Sequence, residues 1–165
     1  MSTWQAAALL LAVVVVLYAL MWRGWRRRGA KHDLQPLVEA PAVADLPEPK
    51  LISGGRYFGT TVSGDWLDRV VARGLGARSS CRLNLSGEGL DVIRLAGSFR
   101  IPAAALRGAR RDQGIAGKVV PPTGVLVVTW QHGDLTLDTG FRLTDPEQHN
   151  DWVRSISKMA KENHR

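Results

Sequence analysis

Hydrophobic and polar positions divide the 165-residue chain into three stretches of different period. Residues 6–22 form an unbroken apolar run with no charged side chain. As a helix this run spans roughly 25 Å, near the lower end of what crosses a bilayer core. Residues 29–50 carry Pro36, Pro41, Pro47 and Pro49 among Ala, Val, Asp and Glu, with no aromatic residue. Prolines at this density forbid a long helix and predict an extended spacer.

From residue 51 the pattern shortens to strands punctuated by turns. A first strand is predicted over 56–62, followed by a turn at Ser63-Gly64-Asp65. A short helix over 66–73 comes next, with Trp66, Leu67, Val70 and Val71 as its apolar face and Gly74 as its stop. Residues 81–85 and 90–95 flank Ser86-Gly87-Glu88-Gly89 as a hairpin. Short strands over 99–101 and 118–120 and a helical turn over 103–106 follow. The β-branched run 124–130 predicts a strand buried on both faces. In 135–143 Leu135, Leu137, Thr139, Phe141 and Leu143 alternate with Thr136, Asp138, Gly140 and Arg142, a strand with one wet face. A capping box at 144–147 opens a helix running to about residue 161. Its Trp152, Val153, Ile156, Met159 and Ala160 share one side. The expected class is α+β, mainly β: one N-terminal helix, then about seven strands bent into a sheet or barrel and capped by a C-terminal helix. The domain limits are 1–28 for the anchor with its basic flank, 29–50 for the linker and 51–165 for the folded domain.

Charge sharpens the reading of the first stretch. The formal net charge is +7, and Arg23, Arg26, Arg27 and Arg28 directly follow the apolar run. Trp4 marks one end of that run, and Tyr18, Trp22 and Trp25 mark the other, where interfacial aromatics belong. Residues 1–5 hold no basic side chain, and Leu20, Met21 and Trp22 make a poor cleavage site, so the run reads as an uncleaved anchor rather than a signal peptide. The positive-inside rule then places the N-terminus outside and the domain in the cytoplasm, on a cell membrane crossed once. Cys81 is the sole cysteine, so an intrachain disulfide is excluded.

Several stretches together resemble a known family: Gly59-Thr60-Thr61, Gly64-Asp65-Trp66-Leu67-Asp68-Arg69, Gly74-Leu75-Gly76, Ile101-Pro102, Gly114-Ile115-Ala116-Gly117-Lys118, Val127-Val128-Thr129-Trp130 and Leu137-Asp138-Thr139-Gly140-Phe141-Arg142. They are similar to actinobacterial single-span membrane proteins with a bacterial pleckstrin-homology-like (PH-like) domain, whose members often carry general labels such as export or membrane protein. The resemblance implies a PH-like β-barrel plugged by a C-terminal helix, with Trp152 as its inward tryptophan, and a place at the membrane. Such folds bind lipids or peptides.

The chemistry-bearing residues form no catalytic constellation. Gly114 to Lys118 lacks the first glycine of a phosphate loop, because Asp112 stands there, and Val119 replaces the Ser or Thr after the lysine. His32, His132, His149 and His164 show no metal-ligand spacing, and His132, in a turn, is expected to be exposed. No catalytic residue, metal or cofactor is expected. The domain from residue 51 on holds 16 Lys and Arg against 11 Asp and Glu. Its most suggestive cluster is Arg107, Arg110 and Arg111, with Arg100 and Lys118 as neighbours. These suit an anionic headgroup or an acidic partner segment. The other reading is a solvated basic edge strand. Phosphoinositide-binding PH domains carry several basic residues in and after their first strand, whereas here Ser63, Gly64, Asp65 and Trp66 follow it. The expected function is a non-enzymatic, membrane-anchored adaptor that binds a protein partner or the inner-leaflet surface, with no nucleic acid expected. The alternative is a structural or assembly subunit of a membrane complex, transport complexes included.

Overall fold

The computed structural model describes residues 2–30, 34–119 and 124–165, in two units split at residues 33 and 34. His32, Val120 and the side chains of Arg27, Arg28 and Lys118 lie outside this description. The first unit is one helix, α1 (Thr3–Ala30), which continues past the apolar run into the arginines. Its segment Thr3–Arg26 is, among the described residues, the one helix long and apolar enough to cross a membrane. Its aliphatic side chains, such as Leu9, Leu17 and Leu20, have no protein packed over them. Spacings of four and three residues stack Tyr18 on Trp22 at 6.4 Å and bring Trp22 to 5.9 Å from Trp25.

The second unit is organised by its first strand, β1 (Leu51–Val62), longer than expected by five residues. Residues 51–57 pair with β2 (Ser79–Ser86), which continues into β3 (Gly89–Ile93) and β4 (Phe99–Pro102). Residues 55–62 of β1 pair on the other side with β9 (Leu135–Leu143), which pairs with β8 (Val125–His132). β8 in turn pairs with β5 (Leu106–Asp112). The seven strands run antiparallel in the order β4-β3-β2-β1-β9-β8-β5. β1 changes partners along its length through a bulge between Tyr57 and Gly59, a device that bends a strand. A separate hairpin pairs β6 (Gly114–Ile115) with β7 (Lys118–Val119).

The C-terminal helix α2 (His149–Asn163) buries His149, Trp152, Ile156, Met159 and Ala160 in the concave core, as its period requires. The core beneath it gathers Tyr57, Phe99, Phe141 and Trp130, with Tyr57 edge-on to Phe141 at 5.8 Å and Phe99 stacked on Trp130 at 6.2 Å. The expected box at Thr144 is instead a cap by Asp145, which accepts from the Glu147 amide with Pro146 in the first turn.

Three expectations change. Residues 66–73 are not a helix. Asp65 Oδ1 accepts from the amides of Leu67 and Asp68, and the chain turns straight back onto β1, where Val70 N donates to Thr60 O. β-branched Val70 favours that extended return, and a single 3-10 turn at Ala72–Gly74, with Arg73 and Gly74 left-handed (φ 56° and 75°), ends it. Only Val70 of the anticipated apolar face is buried; Trp66, Leu67 and Val71 are exposed.

Second, the wet face of β9 is largely covered. Val125 and Val127 of β8 form a second, outer core with Phe58, Ile115 and Ala116, which the β6–β7 hairpin brings across the sheet. Two glycines make room for it: a Cβ at Gly140 would collide with Ile115, and one at Gly59 would stand 3.3 Å from Ala116. Third, the segment read as a free spacer lies, from Leu34 on, against the domain. Leu34 is buried, Arg73 Nε donates to its carbonyl, Arg100 N donates to Val38 O on the outer edge of β4, and Asn84 reaches Pro47 O.

Polar groups in the core are arranged with one polarity. Trp130 Nε1 donates to Thr139 Oγ1 at 2.9 Å, Thr139 contacts Thr60 at 2.8 Å, Thr60 contacts Tyr57 Oη at 2.7 Å, and Tyr57 donates to Leu75 O at 2.6 Å. An indole only donates and a carbonyl only accepts, so every hydroxyl in between points the same way. Beside this relay Arg94, 6% exposed, donates to Gly74 O, Ala77 O and Gly97 O, with its guanidinium 4.2 Å from the centre of the Tyr57 ring.

Two outcomes follow from this packing. Gly140→Val displaces the hairpin and lowers stability by about 1–3 kcal/mol through overpacking, read as a lower urea midpoint. An unchanged midpoint means the hairpin does not depend on that glycine. Burial, above all, pushes the Tyr57 hydroxyl up to about 12 and the Cys81 thiol up to about 11. Both groups hold their protons more tightly when folded, so stability is full below pH 9 and falls as pH rises through 12. The Tyr57 share of that loss is about 2–3 kcal/mol. In Tyr57→Phe the fall between pH 10 and 12 shrinks; an identical fall in the variant refutes the assignment.

Candidate functional site

The anticipated basic cluster is dispersed by the strand geometry. Arg110 and Arg111 are consecutive on β5 and take opposite faces. Arg110 stands on the outer face with Asp138, whereas Arg111 reaches 3.5 Å from Asn150 Oδ1 at the start of α2. Arg107 is the extra residue of a bulge in β5 and donates to Ala104 O beside His164. Arg100, on β4, is taken by Asp91 (2.6 and 3.0 Å) and by Glu88. The Asp91 hydrogen bond leads the influences that raise its pKa. Lys118 contributes backbone to β7. β5 is thus a basic edge strand with its arginines divided between two faces.

A concavity lies on the outer face, where the β6–β7 hairpin meets the sheet. It is an open cleft of about 450 Å³ lined by Thr61, Trp66, Arg110, Asp112, Ile115 and Asp138, among others. Its floor follows from register: Thr61 and Thr129 flank Asp138 on the neighbouring strands. Asp138 Oδ1 accepts from Thr129 Oγ1 at 2.6 Å, and Oδ2 accepts from Arg110 Nη2 at 3.0 Å. Arg110 also donates from Nε to Asp112 Oδ2 at 3.4 Å and from Nη1 to Thr129 at 3.3 Å. Burial pulls the Arg110 pKa down, but the bonds and charges of Asp138 and Asp112 outweigh it and the net shift is upward. One guanidinium therefore serves two carboxylates, and the floor carries a net negative charge. Trp66, 47% exposed, forms a wall, and Val119 is exposed on the hairpin side.

The remaining candidates are structural. Ala116 and Gly117, both left-handed (φ 51° and 73°), make the tight turn of the hairpin, so the glycine-rich stretch serves backbone geometry rather than phosphate binding. Each of the three described histidines donates to a backbone carbonyl: His132 to Gln35, His149 to Pro146 and His164 to Leu106. His132 is not simply exposed, as expected of a turn residue, but half-buried with its ring 5.4 Å from Trp130. Among the described residues no group of three or more His, Cys, Asp and Glu is placed to hold a metal.

A bent antiparallel sheet closed by a C-terminal helix defines a PH-like fold. A family model described as Bacterial PH domain-like matches residues 35–157, and the chain belongs to that family. The match begins within the segment that lies along β4, so that segment is part of the family unit. A comparison with curated proteins finds no match.

Sequence reasoning missed Thr61, Trp66 and Asp138 as a group because they lie on three segments joined only by register. A signal was present in Asp138, a carboxylate midway along a strand whose next outward position is glycine. Cys81, 8% exposed, sits with its thiol pushed up to about 11 by burial. The native protein should therefore resist iodoacetamide at pH 8, reacting at least about fiftyfold more slowly than in urea. Mass spectrometry showing rapid native alkylation would refute this environment.

Proposed function

We propose that the protein is a single-pass, membrane-anchored interaction module with no chemistry of its own. α1 is the span, Arg23, Arg26, Arg27 and Arg28 hold its cytoplasmic end, Trp4 sits at the outer interface, and Tyr18, Trp22 and Trp25 sit at the inner one. The PH-like domain faces the cytoplasm and binds a protein partner or the inner-leaflet surface. The observation that carries this reading is one exposed, span-length apolar helix in the same chain as a PH-like domain. The resemblance to actinobacterial single-span proteins supports the same arrangement. Arg107 and Arg111 supply exposed positive charge on the helix side of β5, suited to an acidic partner or anionic lipid.

Right-side-out and inside-out membrane vesicles carrying the full chain test this reading together with cross-linking. The protein stays in the membrane after carbonate extraction, the domain is cleaved by protease only in inside-out vesicles, and a protein or anionic lipid is captured by cross-linking. Carbonate release, or cleavage in right-side-out vesicles, overturns the anchor or its orientation. Capture of neither protein nor lipid overturns the interaction role.

A further inference from the structure

The outer cleft differs from the rest of the domain in sign. Residues from 51 onward carry a surplus of Lys and Arg, yet the described charges lining the cleft are Arg110 against Asp112 and Asp138. The guanidinium of Arg110 has Nε on Asp112, Nη1 on Thr129 and Nη2 on Asp138. An anion entering here would compete for a cation already shared by two acids. A cation would meet an unmatched negative charge, chiefly at Asp112, whose side chain is 42% exposed whereas that of Asp138 is 5%.

Two further features are independent of the acids. Thr61 is 1% exposed and lines the cleft, and its hydroxyl makes no hydrogen bond to any described residue. That hydroxyl is therefore free to bond a group that enters the cleft. Trp66 stands half-exposed in the same lining, on a turn pinned by Asp65, and an indole there is a potential partner for a cation. Ile115 and Val119 add apolar surface for an aliphatic stem.

We propose that this cleft binds a basic side chain, Arg or Lys, presented by an extended segment of a protein partner. The stem lies against Trp66 and Ile115, the cationic head meets Asp112, and the Thr61 hydroxyl accepts one of its hydrogens. This deepens the interaction-module reading and rests on it. The partner segment it selects is basic, whereas the arginines of β5 select acidic surfaces.

The full chain in nanodiscs of zwitterionic phosphatidylcholine provides the test, with indole N–H signals as the readout and Trp66→Phe to identify the Trp66 signal. The probes are the capped peptide acetyl-Gly-Ser-Arg-Ser-Gly-amide and its Lys, Gln and Glu analogues, up to about 10 mM. The Arg and Lys peptides shift the Trp66 signal saturably, the Gln peptide binds about two- to fivefold more weakly, and the Glu peptide does not bind. Asp112→Asn removes the preference for Arg over Gln, and Thr61→Val weakens binding while the other indole signals report an intact fold. Equal shifts from the Gln or Glu peptide, an undiminished preference in Asp112→Asn, or no Trp66 shift with any peptide overturns the proposal. A cross-linked native partner whose yield is unchanged by Asp112→Asn sinks the cleft while leaving the anchored module standing. Saturable Arg-selective binding supports the cleft even where no native partner is captured.

Discussion

The fold depends on a buried cation that is neutralised by dipoles rather than by acid. Arg94 has no carboxylate in contact among the described residues; it has three carbonyl oxygens and the faces of Tyr57 and Phe99. Two of those carbonyls, of Gly74 and Ala77, belong to the long connection between β1 and β2, and the third belongs to the connection between β3 and β4. A guanidinium suits this position because its donors lie in one plane and point outward in several directions. By tying the two connections together, it holds the β1–β2 segment in a shape that regular hydrogen bonding would not select. That shape buries Val70 and Leu75 in the core and leaves Trp66 outside it.

The outer face rests on a different constraint, the absence of side chains. Gly59 and Gly140 lie opposite each other on β1 and β9, and together they form a shallow trough. Ile115 and Ala116 fill it, so β8 is covered on both faces and Asp138 is nearly buried at the margin of the hairpin. The cleft exists because the hairpin stops short of the row containing Thr61, Asp138 and Thr129. Packing and site are thus the two ends of one surface, and the carboxylate is held where apolar cover gives way to solvent.

Much of the fold was legible because alternation is local. The limits of β9, the turn Gly87-Glu88 between β2 and β3, and the buried face of α2 can each be read from a few consecutive residues. Residues 66–73 misled because apolar residues at helical spacing also suit a turn with one inward valine, and Arg94, far along the chain, decides between them. The face of β9 containing Asp138 and Gly140 reads as wet because alternation reports which side a residue takes, not what later comes to cover it. The arginines of β5 read as one patch because they are close in sequence, although strand geometry sends Arg110 and Arg111 to opposite faces. The cleft itself was hidden for the same reason, since its members meet only through register.

The segment along β4 has a mechanical meaning. The first residue of the folded unit, Leu34, is a core side chain, and its carbonyl is held by Arg73 at 3.0 Å. There is no slack between the point where the chain enters the domain and the hydrophobic interior. A pull on the preceding chain is borne by a plug rather than by a strand that could peel away. Its first recipient is the β1–β2 segment, which carries both Arg73 and Trp66. The residue that grips the entering chain and the residue that walls the cleft therefore belong to one continuous segment.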